Sequence, residues 1–370
     1  MRSTVLCIRE NANDPFRFCF VRRTAAVNEK VKRPRASGRV TLGDVAQAAG
    51  VSPITASRAL RGEVGERGVA ADLVARVRDA AARLAYVPDP AARALASSRS
   101  SHVAVLIPLL TNTLFVDFLE AVQGSLTQAG YQTLIGVTHY RPDEEEQLLR
   151  SYMAHRPAGV VVTGFDRTEA SRRLIAASGV PCVHVMETST QPGVYCVGFS
   201  QIDAGVSITA HLLAQGRRRI AFVAAQLDPR VMQRLEGYRR CLRAANLYDG
   251  RLELLDSGQS SMALGGRLLA DLLAAHADVD AIFFCNDDLA QGGLMAALRM
   301  GVAVPSRVAM AGFNDLTGSD QMLPPLTTIR TPRVEIGVQA AQMLLRLMRK
   351  EAVPVSSVDV GYELIVRGST

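Results

Sequence analysis

The stretch VTLGDVAQAAGVSPITASRALRG, residues 40–62, carries the first side chains suited to molecular recognition. Two short amphipathic runs meet at Gly50, and the second opens with Ser52-Pro53. If the second run is a helix lying in a DNA major groove, its leading residues face base edges. These are Pro53, Ile54, Thr55, Ser57 and Arg58. Arg58 could make the bidentate contact to guanine O6 and N7, which discriminates by about 1–3 kcal/mol. Thr41, Ser52 and Thr55 carry short hydroxyls suited to phosphate oxygens. Pro53 offers no donor, and Ile54 offers only apolar contact, for instance to a thymine methyl. A helical hairpin with no DNA role is the competing reading of the same stretch.

Catalysis finds no comparable footing. The chain has no HExxH, GxSxG, Walker or strand-opening GxGxxG pattern. Its six His are separated from one another, and only His184 stands near a cysteine, Cys182, so no metal-ligand set emerges. The run Glu144-Glu145-Glu146 reads as a helix-start charge cluster. The expectation is a protein that is not an enzyme and needs no cofactor or metal.

Charge distribution favours a polyanion partner. Residues 1–102 hold 18 Lys and Arg against 9 Asp and Glu, a net +9. The remaining residues hold 24 against 26, a net −2. A basic first quarter on a near-neutral body is the electrostatic footprint of a nucleic-acid-binding head. No apolar run is long enough to cross a bilayer. Charges interrupt the N-terminal LCIRENANDPFRFCFVRR, so it does not read as a signal peptide. The expected location is the cytoplasm, in association with the nucleoid. Cys7, Cys19, Cys182, Cys196, Cys241 and Cys285 are scattered without a CxxC pair and read as reduced thiols.

Elements must position these side chains. Residues 1–38 read as a basic, disordered arm. In residues 39–87, Thr41 can cap a first helix with Asp44 as its capping-box partner, and Gly50 ends it. Ser52 caps a second helix, with Pro53 in its first turn where a missing N–H costs nothing. A third stretch places Leu73, Val77, Ala80, Ala81 and Leu84 on one stripe. Residues 88–102 form a small-residue linker whose one large apolar side chain is Leu95. From residue 103 short apolar runs alternate with helical stretches, and the pattern recurs from RRIAFVAA onward. This predicts two doubly wound parallel-sheet subdomains with a ligand in the cleft between them. Subdomain 1 is expected at about 103–200 plus 326–350, and subdomain 2 at about 201–325 plus 351–370.

The helix-turn-helix stretch, followed by LAYVPDPAARALAS, resembles the lactose-repressor-type (LacI) family of bacterial transcription regulators. The likeness continues through HLLAQGRRRIAF, RLEGY, FFCNDDLAQGGLMAAL, VAMAGFND and LPPLTTIRTP. Within the family, GVSPITASRAL is most similar to the gluconate-utilisation repressor branch. The resemblance implies an all-α head, a hinge helix and a core like that of periplasmic sugar-binding proteins. It also implies a homodimer on a near-palindromic operator. The hinge helix falls at about Asp89–Ser97, with Leu95 as a wedge into the minor groove that partly unstacks one base step.

The resemblance also assigns an effector site. Arg234 in RLEGY matches the family's effector-contacting arginine. Asp203, Asn286 and Asn314 match its polar contacts, and Phe115 its apolar wall. Asn314 stands where the family often has Asp; losing that charge while keeping Arg234 tilts the pocket towards an anionic ligand such as gluconate. The plainer alternatives are that Arg234 pairs with Glu236 or Asp228, and that Asp287 and Asp288 cap a helix. The chain departs from the family pattern in a longer loop before the third helix, in Val69-Ala70 and Leu73, and in Arg217. The expected function is a ligand-responsive, sequence-specific repressor of carbohydrate or sugar-acid genes. A solute-binding protein without a DNA role is the alternative.

Overall fold

The computed structural model describes residues 40–62, 69–88, 100–111 and 113–370. The expected basic arm and the hinge segment with Leu95 lie outside them. So does most of the longer loop before the third helix. The chain divides into a head, ending at Pro88, and a core beginning at Asp89.

Among the described residues the head has three helices: α1 (Leu42–Ala49), α2 (Pro53–Leu60) and α3 (Ala71–Arg83). Thr41 and Asp44 form the capping box of α1. Thr41 Oγ1 accepts from the Asp44 amide at 3.4 Å, and the Thr41 amide donates to Asp44 Oδ2 at 2.8 Å. Gly50 closes α1 at φ 64°, a left-handed conformation that glycine adopts without a Cβ penalty. Ser52 caps α2, with Pro53 in its first turn. Ala70 precedes α3 and supplies no side-chain cap, as the loss of a hydroxyl there implies. Val45, Ala46, Ala49, Ala56, Ala59, Val69, Val74, Val77 and Ala80 form the small core. The stripe predicted for α3 is thus centred on Val74, Val77 and Ala80, with Leu73, Ala81 and Leu84 packed at its edges. Arg76 reaches back to the carbonyl of Ala49, 2.5 Å away, where α1 leaves its last carbonyls unsatisfied.

The core holds two six-stranded sheets. In chain order, the first half runs β1 (His102–Ile107), α4 (Thr113–Gln128), β2 (Gln132–Val137), α5 (Pro142–Ala154), β3 (Gly159–Thr163), α6 (Glu169–Ser178), β4 (Cys182–Val185) and β5 (Cys196–Gly198). The second runs α7 (Gln201–Ala214), β6 (Ile220–Ala225), α8 (Pro229–Ala244), β7 (Glu253–Asp256), α9 (Met262–Ala275), β8 (Ala281–Phe284), α10 (Asp287–Met300) and β9 (Ala309–Asn314). Then follow β10 (Thr327–Arg330), α11 (Arg333–Met348), β11 (Ser357–Asp359) and β12 (Glu363–Ile365). The strand orders are β11-β5-β4-β3-β1-β2 and β12-β10-β9-β8-β6-β7. All pairings are parallel except β10 with β12. The central strands are buried on both faces, which is why they read as unbroken apolar runs.

The last part of the chain corrects the expected subdomain boundaries. β10 pairs with β9 and so belongs to the second sheet, although residues from 326 were expected in the first. β11 pairs with β5 in the first sheet, although residues from 351 were expected in the second. These strands are three and four residues long and carry no helical period, so only their hydrogen-bonded partners reveal which sheet they join. The chain therefore passes between halves after β5, after β10 and after β11, all at one edge of each sheet.

Candidate DNA-reading helix and ligand cleft

In the head, α2 presents Ile54 as an exposed side chain, 74% accessible, on a helix that otherwise buries Ala56 and Ala59. An apolar side chain left this exposed in so small a core is not there for packing. Ser52 Oγ accepts from the Thr55 amide at 3.1 Å and lies 2.8 Å from Thr55 Oγ1. Thr41 Oγ1 donates to Asp44 Oδ2 at 2.7 Å. The hydroxyls expected to meet phosphates are thus already engaged in capping within the head. Thr55, Ser57 and Arg58 are half-buried on α2, and Pro53 is exposed at its start.

In the core, a cavity of about 150 Å³ lies between the halves. Arg234 of α8 is buried in its wall. Nε donates to Gln201 Oε1 at 2.9 Å and Nη1 to the carbonyl of Cys285 at 2.7 Å. The guanidinium carbon lies 3.8 Å from the centroid of the Phe313 ring. None of these partners is a carboxylate. Arg234 pairs with neither of the acids proposed for it: Asp228 bonds Arg230, and Glu236 lies 3.7 Å from Arg240. Burial pulls the Arg234 guanidinium below its ordinary pKa, because its charge has left water without a full counter-charge.

Two close helix approaches put Arg234 there. Gly205 of α7 faces the Arg234 backbone, where a Cβ would lie 2.5 Å from its carbonyl oxygen. A Cβ at Gly237 of α8 would run into the carbonyl of Ile202. The two backbones therefore touch, and Gln201, one turn before Gly205, reaches Arg234.

Phe115, Asn286 and Asn314 also line the cavity. Asn286 caps α10: Oδ1 accepts from the Leu289 amide at 3.1 Å, while Nδ2 donates to Ser260 Oγ at 2.9 Å. Asn314 is buried with φ 111°, and its Oδ1 accepts from Thr331 Oγ1 at 3.1 Å. Its amide NH₂ has no hydrogen-bond partner among the described residues.

Asp203 is the exception. It is exposed and does not line the cavity; its amide donates to Ser200 Oγ at 3.1 Å in the cap of α7. The residue facing Arg234 is Gln201. Two positions along a helix turn the side chain through about 200°, so Asp203 points away from the wall that Gln201 forms. Asp287 is likewise not a cap. It is fully buried and accepts from the Leu316 amide (2.7 Å), Ser319 Oγ (2.9 Å) and Thr328 Oγ1 (2.7 Å). Burial pushes its carboxyl up to about 6 despite these donors.

Sequence reasoning missed Gln201, Tyr140, Arg230 and Ser260, which line the same cavity, and gave Asp288 no place in it. Asp288 has no hydrogen bond among the described residues, and burial raises its pKa. A chain signal for Gln201 did exist: Gly205 and Gly237, on facing helices, mark the close approach. The arrangement offers two buried arginines, Arg230 and Arg234, several amide and hydroxyl groups, and the carboxylates of Asp228 and Asp288. It can hold a small polyhydroxylated molecule, the amides and hydroxyls meeting its hydroxyl groups.

A helix-turn-helix head carried on two parallel-sheet halves with a polar cavity between them defines a ligand-controlled DNA-binding regulator. Residues 41–89 match the model of the bacterial regulatory proteins of the lacI family, and residues 209–370 that of the periplasmic binding protein-like domain. The chain is 53% identical over 345 residues to the HTH-type transcriptional regulator GntR of Pseudomonas aeruginosa, covering 93% of this chain and all of that one. It is 31% identical over 340 residues to the regulator of the same name in Escherichia coli K12, covering 92% and 99%. The crystal structure of the transcription regulator GntR from Chromobacterium violaceum superposes with a TM-score of 0.71 at 49% identity, covering 72% of this chain and 98% of that one. The chain belongs to the LacI family of transcriptional regulators. It is a DNA-binding regulator and not an enzyme. Among the described residues no helix is long and apolar enough to cross a membrane, and no group of His, Cys, Asp and Glu could hold a metal ion.

Proposed function

We propose that this regulator is a homodimeric repressor, acting at the nucleoid in the cytoplasm, whose cleft ligand is a sugar acid of the gluconate type. The observation that carries the ligand class is Arg234, a buried guanidinium held by an amide oxygen, a backbone carbonyl and an aromatic face. A ligand carboxylate supplies the missing counter-charge in a site where water is scarce. Asn286, Asn314, Ser260 and Asp288 meet the hydroxyl groups. Phe115 closes the apolar side.

On DNA, α2 reads the major groove through Arg58, Thr55 and Ser57, with Ile54 against a thymine methyl and Pro53 setting the helix start. Thr41 and Ser52 lie at helix N-termini, where backbone amides favour phosphate. Leu95 is the minor-groove wedge. The ligand acts by population shift: it must bind the operator-competent and incompetent arrangements differently.

A gel-shift titration tests the ligand class. Operator complexes are challenged with gluconate and with glucose at equal concentration and salt. Gluconate is expected to change operator affinity at concentrations where glucose does not. Equal responses, or none to gluconate, refute the sugar-acid reading while leaving the DNA-binding regulator intact.

A further inference from the structure

One charged cluster at the cavity wall is not explained by ligand binding. Arg230 lies buried near the start of α8, in the second half. Its Nη1 is 3.2 Å from Asp166 Oδ1 and 3.2 Å from Glu187 Oε1, on the segments that follow β3 and β4 of the first half. Its Nη2 is 3.2 Å from Asp228 Oδ1 of its own half. One turn on, Gln233 Nε2 donates to Glu187 Oε2 at 2.7 Å. Gly164, at φ 63°, makes room: a Cβ there would collide with the Arg230 guanidinium. Burial alone would lower the Arg230 pKa; Asp228, Asp166 and Glu187 together lift it above its ordinary value. Unlike Arg234, this cation is fully compensated, and it has little left to offer a ligand anion.

In the first half the bridge stands beside the β5 crossover, where a Cβ on Gly198 would collide with the Glu187 backbone; in the second half it starts further off. β6, which leads into α8, stands three strands from β10, about 14 Å at ordinary strand spacing. Arg333 spans the halves too, donating to Asp117 Oδ2 at 2.5 Å and to the Asn314 carbonyl at 3.0 Å. It sits immediately after the β10 crossover, where a hinge motion moves atoms least. The Arg230 contacts thus join a segment beside the β5 crossover to a helix whose leading strand is three strands from β10, and relative rotation of the halves changes them.

We propose that Asp166–Arg230–Glu187 is the latch of the cleft, a bridge whose making and breaking sets the balance between closed and open arrangements of the halves. Arg230 is then a positioning residue for closure. Without its guanidinium, Asp166, Glu187 and Asp228 would face one another as like charges in a buried site, which drives the halves apart. This deepens the ligand-cleft reading by assigning that site its means of regulation.

Hydrogen exchange on the full chain without ligand tests it, followed by mass spectrometry. In Arg230→Gln, amides of residues 187–189 and 230–233 are expected to exchange at least tenfold faster than in the wild type. Those of β1 and β6 should be unchanged. Glu187→Gln should act in the same direction, and the double variant should exchange no faster than Arg230→Gln alone, since both remove one bridge. Exchange within twofold of wild type at residues 187–189 overturns the proposal. So do additive effects in the double variant, and so does equal acceleration in β1 and β6, which would make the cluster a prop for the fold. Calorimetry with gluconate on the wild type separates the two ideas. Absence of binding there sinks the sugar-acid reading and leaves the exchange result to decide the latch.

Discussion

Arg234 and Gln201 are joined by a 2.9 Å hydrogen bond from Nε to Oε1, which ties α8 to the first turn of α7. The bond orients the guanidinium without neutralising it. A carboxylate in place of the amide would satisfy the charge internally and leave nothing for an anionic ligand.

That relationship gives a first prediction. Gln201→Glu should weaken gluconate binding tenfold or more while preserving the fold, because the new carboxylate pairs with Arg234. Arg234→Gln should cost about 1.5–3 kcal/mol of binding, the range for hydrogen bonds to charged groups, or roughly 10- to 150-fold in affinity. Isothermal titration of both variants, with melting curves as the folding control, checks this. Unchanged affinity in Gln201→Glu contradicts the assignment of Arg234.

A second prediction concerns the head. Arg58→Ala should relax or abolish operator choice, whereas Pro53→Ala should mainly weaken binding. Specific and random DNA are compared at equal salt, since phosphate contacts alone give salt-dependent, sequence-blind affinity. If Arg58→Ala keeps the wild-type ratio of specific to random binding, α2 does not read bases through this residue.

The α7–α8 contact yields a third. Gly205→Ala and Gly237→Ala each place a methyl against the opposing backbone. Overpacking of this kind costs about 1–3 kcal/mol. The urea midpoint should fall in both, and ligand affinity with it, because separating the helices also separates Gln201 from Arg234. A stable Gly205→Ala protein with wild-type ligand affinity would show that the close approach is not required.

A fourth follows from His184 on β4. Its ring stacks on Phe165 with centroids 4.6 Å apart. Its Nδ1 lies 2.8 Å from Arg167 Nη1 and 3.0 Å from the Gly164 carbonyl oxygen. Burial, reinforced by Arg167, lowers its pKa from 6.5 to about 4. A histidine with a depressed folded-state pKa binds protons more readily when unfolded. Its contribution is complete above about 6.5 and is lost as pH falls towards 4. At about 1.4 kcal/mol per pH unit, that loss reaches about 3 kcal/mol at most. Asp287 acts in the opposite sense: its raised carboxyl favours the folded state as pH drops through about 6. Denaturation of wild type and His184→Gln across this range isolates the histidine. The variant should lose less stability on acidification, and parallel pH profiles would refute the assignment.

Much of the architecture was legible because its signals are local. Thr41 with Asp44, Ser52 with Pro53, and Gly50 fix the ends of α1 and α2 through backbone groups three residues away. Alternating apolar runs announced the parallel sheets. Phe115, Arg234, Asn286 and Asn314 were named from sequence by family likeness, and all four line one cavity. Asp203 failed because the likeness fixed a segment, while the wall depends on helix rotation. The strands β10 and β11 were assigned to the wrong halves because three or four residues carry no mark of their partner.

The head can be read from the chain alone: its caps and its turn are encoded within a few residues of one another, and its surplus of positive charge is a matter of composition. So can the two sheet-and-helix halves that follow. Tertiary structure alone decided which charges meet. Arg230 and Arg234 stand one turn apart on α8 and look alike in the chain. One is neutralised by Asp166, Glu187 and Asp228, and the other is left with an amide and a carbonyl. Of the first set, Glu187 and Asp166 come from loops 43 and 64 positions away and only Asp228 is local; the second set comes from residues 33 and 51 away. Coulomb attraction and desolvation act through space, so the difference between a bridge and a binding cation appears only once the halves are folded against each other.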